Sequence, residues 1–199
     1  IPKSKMIAMY LNDELNDKST LIDVSELNIV PCEGNVSRKD GNSCGLLKSK
    51  LKDKDKNPTG HHRCWASVNN PKDELWKISK ELFESDSVVF LSSVRWGQTN
   101  MFYQNLIERL TWIENRHSNL GEKNIVKDID AGFIATGQNW NGKDVTETQK
   151  EVLQFLGNGK SGGTFDWFFK VRDEYQSFVD AETTNPLVFK RRVNEGGYH

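Results

Sequence analysis

Apolar positions fall at helical spacing along some stretches of this chain and gather into short continuous runs in others. Ile7, Tyr10, Leu11 and Leu15 form one stripe, predicting a helix over residues 4–18 with Ser4 as its N-cap. Leu75, Ile78, Leu82 and Phe83 form a second, opened by Asn70 and Pro71, with Asp73 and Glu74 in the first turn. Phe102, Leu106, Leu110 and Ile113 form a third, over residues 99–113. Asp144 and Glu147 read as a capping box for a fourth helix, ended by Gly157. Apolar runs at 20–24, 88–91 and 131–135 predict strands, and 88–91 has the continuous character of a parallel strand covered on both faces. A last strand over 165–171 and a last helix over 173–179 complete the series. Alternation of the two element types predicts an α/β fold with a parallel sheet.

Residues 31–70 break the pattern. They lack periodicity and hold a charge run from Lys48 to Lys56, so they read as one long excursion within a single domain over 1–199. The charge run is expected to be a solvated face.

Composition narrows the picture. The chain has 199 residues, 36% hydrophobic, with six Trp and ten Phe, which is enough to build a core. Lys+Arg number 27 and Asp+Glu 28, giving a net charge of -1. That balance argues against nucleic-acid binding by bulk charge and against a strongly acidic electron carrier. No apolar run reaches membrane-span length, and no secretory pattern opens the chain, so no membrane partner is expected. Three cysteines at irregular spacing suit a reduced, cytoplasmic protein better than a disulfide scaffold.

The chemistry is expected at the carboxyl ends of the strands, where open parallel sheets bind ligands. One such end carries Ser92, Ser93, Val94, Arg95, Trp96, Gly97 and Gln98, and runs through Thr99 and Asn100 into a helix. The other carries Thr136, Gly137, Gln138, Asn139 and Trp140, followed by Asn141 and Gly142. Glycine lets backbone N–H groups approach a ligand, amides bond a polar ring edge, and Trp offers a flat face. Two such loops suit a planar heterocycle.

The segment from Glu81 through Ser85-Asp86-Ser87, the run Val88-Val89-Phe90-Leu91 and Ser92-Ser93-Val94-Arg95-Trp96-Gly97, with its following helix to Leu110, resembles the flavodoxin-like NAD(P)H-dependent FMN reductases and quinone oxidoreductases. The resemblance is most specific over residues 75–113. It implies a flavodoxin-like three-layer sandwich with a parallel five-stranded sheet. It places Ser92 to Gln98 along the flavin and Thr136 to Trp140 on its other side. Ser93 stands where the family has Pro, and Arg95 where it has an aromatic residue. The resemblance further implies a central strand and a phosphate loop, about ten to fifteen residues, ahead of Ile1. Lys3 and Ser4 would then form the tail of that loop, at a helix N-terminus that attracts anions. The implied activity is hydride transfer from NAD(P)H through FMN to a quinone, a flavin or another small molecule, with no catalytic side chain, and a homodimer is implied as well. A flavodoxin-type electron carrier and a flavodoxin-like binding module without FMN are the alternatives.

Cys32, Cys44 and Cys64 with His61 or His62 have the donor types of a zinc site. Iron–sulfur flavoproteins of the same superfamily also carry cysteines here, but their clusters need compact spacing, and these gaps are eleven and nineteen residues. The expectation is therefore no metal, with buried thiols in a loop over the substrate mouth that His61, His62 and Trp65 help to line.

Overall fold

A computed structural model describes residues 1–15, 18–34, 44–119, 121–137 and 141–156. In chain order these form α1 (Lys3–Glu14), a 3-10 turn (Val24–Glu26), α2 (Lys48–Leu51), α3 (Trp65–Asn69), α4 (Leu75–Glu84) and β1 (Ser87–Arg95). There follow β2 (Gln98–Thr99), α5 (Met101–Leu110), α6 (Trp112–Glu114), a π-helical turn (Asn115–Asn119), β3 (Asp130–Thr136) and α7 (Gly142–Leu156).

The sheet among the described residues has three strands in the order β2-β1-β3. β1 and β3 are parallel from Ser87↔Asp130 to Ser93↔Thr136, and β2 folds back antiparallel on the end of β1. A parallel five-stranded flavodoxin-like sandwich is thus overturned in favour of a small mixed sheet. One parallel pair, from the two strongest apolar runs, is what survives of the expected arrangement.

Two packed clusters hold the sheet. Val94, Tyr103, Phe133, Ala135, Val145, Leu153 and Leu156 join β1 and β3 to α5 and α7, with the Tyr103 and Phe133 rings 5.0 Å apart. Leu75, Ile78, Leu82, Leu106, Leu110, Trp112 and Ile113 join α4 to α5 and α6, together with Cys44, Cys64 and Ala66. α1 lies against β1 and β3. Coverage of β1 on both faces is incomplete, because Val89 is 46% exposed.

Several elements differ from expectation for identifiable reasons. The 20–24 run is not a strand. Asp23 accepts bonds from the Ser25 N–H and hydroxyl, which closes the turn at Val24–Glu26 instead. Beyond it the backbone donors are met by carboxylates rather than by a neighbouring strand. The Asn28 N–H donates to Glu74 (2.8 Å) and the Val30 N–H to Asp73 (3.0 Å). These same two acids were expected in the first turn of a helix begun at Pro71, yet α4 begins only at Leu75.

α1 ends at Glu14 and buries Met6; its N-cap is Pro2, not Ser4. α5 is capped by Asn100, whose side chain accepts from the Tyr103 N–H (3.0 Å). That start turns Tyr103 inward and leaves Phe102 exposed. α7 begins at Gly142, with its first bond from the Val145 N–H to the Asn141 carbonyl, so Asp144 sits inside the first turn rather than capping it.

The excursion is largely structural where it is described. A bridge joins Gly45 to Cys64, and Leu46, Cys44, Cys64 and Ala66 are core residues. Side-chain amides replace periodicity here. Asn57 bonds both the N–H and the carbonyl of His62, and Asn115 accepts from the Gly45 N–H (2.8 Å). The strand and helix expected at 165–171 and 173–179 lie outside the described residues, as does Gly157. No helix among the described residues is long and apolar enough to cross a membrane.

Candidate functional site

The end of β1 turns back on itself through Trp96 and Gly97. Val94 pairs with Thr99 and Arg95 with Gln98, leaving a two-residue loop. Both loop residues have positive φ, 51° and 74°. Such loops match the twist of the strands they join, and they usually carry Asn-Gly or Gly-Gly. A Trp in the first position is uncommon, since a bulky side chain is unfavourable at positive φ. The result is a Trp96 ring that is 87% exposed at the carboxyl end of the sheet. Met101, 71% exposed, and Phe102 continue the exposed apolar surface at the start of α5.

Hydrogen bonds fix this turn from two sides. Asn100 donates through its N–H (3.3 Å) and its Nδ2 (3.1 Å) to the Ser92 hydroxyl, and its Nδ2 also reaches the Ser93 hydroxyl. Asn141, from the loop after β3, donates to the Gly97 carbonyl (2.9 Å). The two loops expected to share a ligand are therefore joined directly, through an asparagine that sequence reasoning left out of the site. Asn100 was missed in the same way, although an Asn just ahead of the apolar Met101 and Phe102 is a recognisable N-cap signal.

The remaining candidates divide by burial. Ser93, Arg95, Trp96 and Gln98 reach the surface, whereas Ser92, Val94 and Thr136 are buried. Val94 belongs to the core, and the Thr136 hydroxyl donates to the Ser92 carbonyl (3.5 Å). Gly137 is needed for packing, since a Cβ there would fall 2.9 Å from the Val94 Cβ. Lys3 and Ser4 lie in the first turn of α1, which holds no acidic residue to offset its positive end. Gln138, Asn139 and Trp140 lie outside the described residues.

A second polar cluster sits beneath the excursion. Arg109 of α5 forms a two-pronged ion pair with Asp73, at 2.7 and 3.1 Å, and donates to the Val30 carbonyl and the Cys64 sulfur (3.2 Å). Burial pushes the Cys64 thiol up despite Arg109, and pushes Cys44 up to about 12. Both shifts favour the protonated thiol, as for cysteines packed in a core. Nearby, the His62 Nδ1 and the Ser67 hydroxyl meet at 2.8 Å in full burial. Burial holds the His62 imidazole below its usual range. Among the described residues no group of three or more His, Cys, Asp and Glu is arranged to hold a metal ion.

Comparison with known proteins adds one partial match. A family model described as a protein of unknown function (DUF3108) matches residues 129–199, which take in β3 and α7 but not the Trp96 turn. No curated protein and no solved structure matches the chain. The resemblance to flavodoxin-like FMN reductases is overturned by this match together with the mixed sheet. The matching residues over 75–113 form α4, β1, a hairpin turn and α5, an arrangement that a short parallel pair supports without the remaining strands.

Proposed function

We propose that the carboxyl edge of β1 and β3 binds FMN and that the chain is an NAD(P)H-dependent FMN oxidoreductase. The observation that carries this reading is the Trp96 ring, 87% exposed and held on a bonded turn at the strand ends. A flat indole face anchored at that place suits a planar ring better than it suits any role in the core, where it makes no contribution.

The donor set fits the group. Trp96 supplies the stacking face, and the amide of the exposed Gln98 suits the polar edge of an isoalloxazine. The Arg95 guanidinium and the N-terminus of α1, where Lys3 and Ser4 lie and the first turn holds no acidic residue, suit a phosphate. Bound FMN would supply the redox chemistry, accepting hydride from NAD(P)H and giving two electrons to a quinone, a flavin or another small acceptor. The chain's own task is to hold the ring against Trp96 and to leave its other face open for the nicotinamide. The Asn100 and Asn141 bonds fix the backbone turn that carries Trp96. The near-neutral charge of -1 favours an enzyme over a carrier that docks through an acidic face.

The test is the visible spectrum of the purified chain after incubation with FMN, followed by NADPH without oxygen. A yellow protein bleached by NADPH is the expected result. A yellow protein that NADPH leaves unchanged is a carrier, and one that takes up no FMN overturns both readings.

A further inference from the structure

A cavity of about 250 Å³ opens between α2, the segment before α3, the end of α4 and α6, in a part of the molecule that shares no residue with the Trp96 turn. Its walls combine charged groups and rings: Lys48, Arg63, Arg116 and Lys123, with the single carboxylate Glu122, beside Phe83 and Trp112. Two of the cations are already matched. Arg116 pairs with Glu122, and Lys123 with Asp128 (2.9 Å). Arg63 and Lys48 make no ion pair among the described residues.

The rings form a stack. The Arg63 guanidinium lies over the Phe83 ring, 4.3 Å from its centre. Phe83 lies near-parallel to Trp112, with centroids 6.4 Å apart and planes at 22°. Two buried donors at this cavity lack a partner among the described residues, the Arg63 Nε and the indole N–H of Trp112. Trp112 is 1% exposed, so its N–H gains no bond from bulk water. A buried donor left unpaired is costly, and natural interiors rarely tolerate one without a reason. Burial and the neighbouring Arg116 hold the Arg63 pKa down, which an anion at this place would relieve.

We propose that this cavity is a binding site for a small aromatic carboxylate, with the ring against Phe83 and the carboxylate on the Arg63 guanidinium. A guanidinium matches the two oxygens of a carboxylate. The volume suits one ring and its acid group, since an apolar cavity of roughly 150 Å³ already accepts benzene. Lys48 at the mouth adds attraction for the anion.

Titration of the full chain with benzoate and phenylacetate, followed by the indole N–H resonances of the Trp side chains, tests this site. The expected result is millimolar or tighter binding that moves the Trp112 resonance. Benzyl alcohol should bind at least about tenfold more weakly, because it lacks the charged acceptor. Arg63→Gln should weaken phenylacetate by at least about tenfold, with Arg63→Lys losing less. The surface variant Lys48→Gln, which leaves the core untouched, should weaken it several-fold. Melting temperatures of all variants separate lost binding from lost folding. Failure of both acids to bind, equal binding of the alcohol, or binding of inorganic phosphate alone would overturn the proposal.

Discussion

Arg109 and Asp73 face each other in complete burial, both side chains 0% exposed, with guanidinium and carboxylate joined at 2.7 and 3.1 Å. The pair does more than neutralise itself. Asp73 also accepts the Val30 and Leu75 N–H groups, while Arg109 donates to the Val30 carbonyl and to Cys64. One ion pair thus ties the 28–30 segment, the start of α4, α5 and the excursion together. Burial alone would lower the Arg109 pKa; its bonds to Asp73 reverse this and keep it charged.

Removing one member leaves the other charge buried and unpaired. Arg109→Met or Asp73→Leu should each cost about 3–5 kcal/mol, while the double variant should recover a substantial part. Urea unfolding of the four proteins checks this; equal and additive losses would contradict it.

Gly45 is confined by its neighbours rather than by its backbone angle. A Cβ there would stand 2.8 Å from the Arg116 Cγ and 2.9 Å from the Asn115 Oδ1 that accepts the Gly45 N–H. Gly45→Ala should destabilise by about 1–3 kcal/mol, through displacement of both side chains. A melting temperature equal to wild type would show that the two chains move aside freely.

The Tyr103 hydroxyl is buried without a hydrogen-bond partner among the described residues, and burial pushes its pKa up. Its ring packs on Phe133 and edge-on to Phe90. Tyr103→Phe keeps the ring and removes the unmet group, so it should be neutral or stabilising by up to about 1 kcal/mol. A loss of stability in urea would reveal a partner for that hydroxyl.

His62 and His61 both have their proton affinity lowered by burial. The unfolded chain therefore binds more protons than the native one below its ordinary histidine pKa. Stability should be complete above pH about 6.5 and should fall as pH drops toward the depressed native values. The melting temperature should decline between pH 7.5 and 5.5 (about the histidine range), above the window in which carboxylates titrate. His62→Gln should reduce that decline. A melting temperature that rises over this interval would contradict the assignment.

Elements with strong periodicity were legible in the chain: α4, α5, β1 and β3 each present a repeating apolar face to the core. The 20–34 segment and the excursion were not, because their order comes from distant side chains. Asp73 serves Val30, Glu74 serves Asn28, and Asn115 serves Gly45, and none of these pairings leaves a local pattern. The number of strands was overextended, because an apolar run such as 20–24 reads alike whether it pairs in a sheet or packs as a loop. At the candidate site the sequence marked the ends of β1 and β3, which the structure joins through Asn141 and Gly97. It did not show that Trp96 and Gly97 form the hairpin turn itself, since that position ordinarily selects Asn or Gly. Nor did it separate outward residues such as Arg95 from Val94, whose burial depends on α5 and α7.

At that turn the proposed flavin contact and backbone stability make opposite demands. Asn in place of Trp96 should favour the left-handed conformation and raise stability by up to about 1 kcal/mol, while removing the stacking face. The most direct measurement is a flavin-fluorescence titration of FMN with the wild-type chain and with Trp96→Asn, each checked by its melting temperature. The expected result is quenching by the wild type and at least about tenfold weaker binding by a variant that melts no lower. Equal FMN binding by the two proteins, or none by the wild type, would contradict a flavin site at the Trp96 turn.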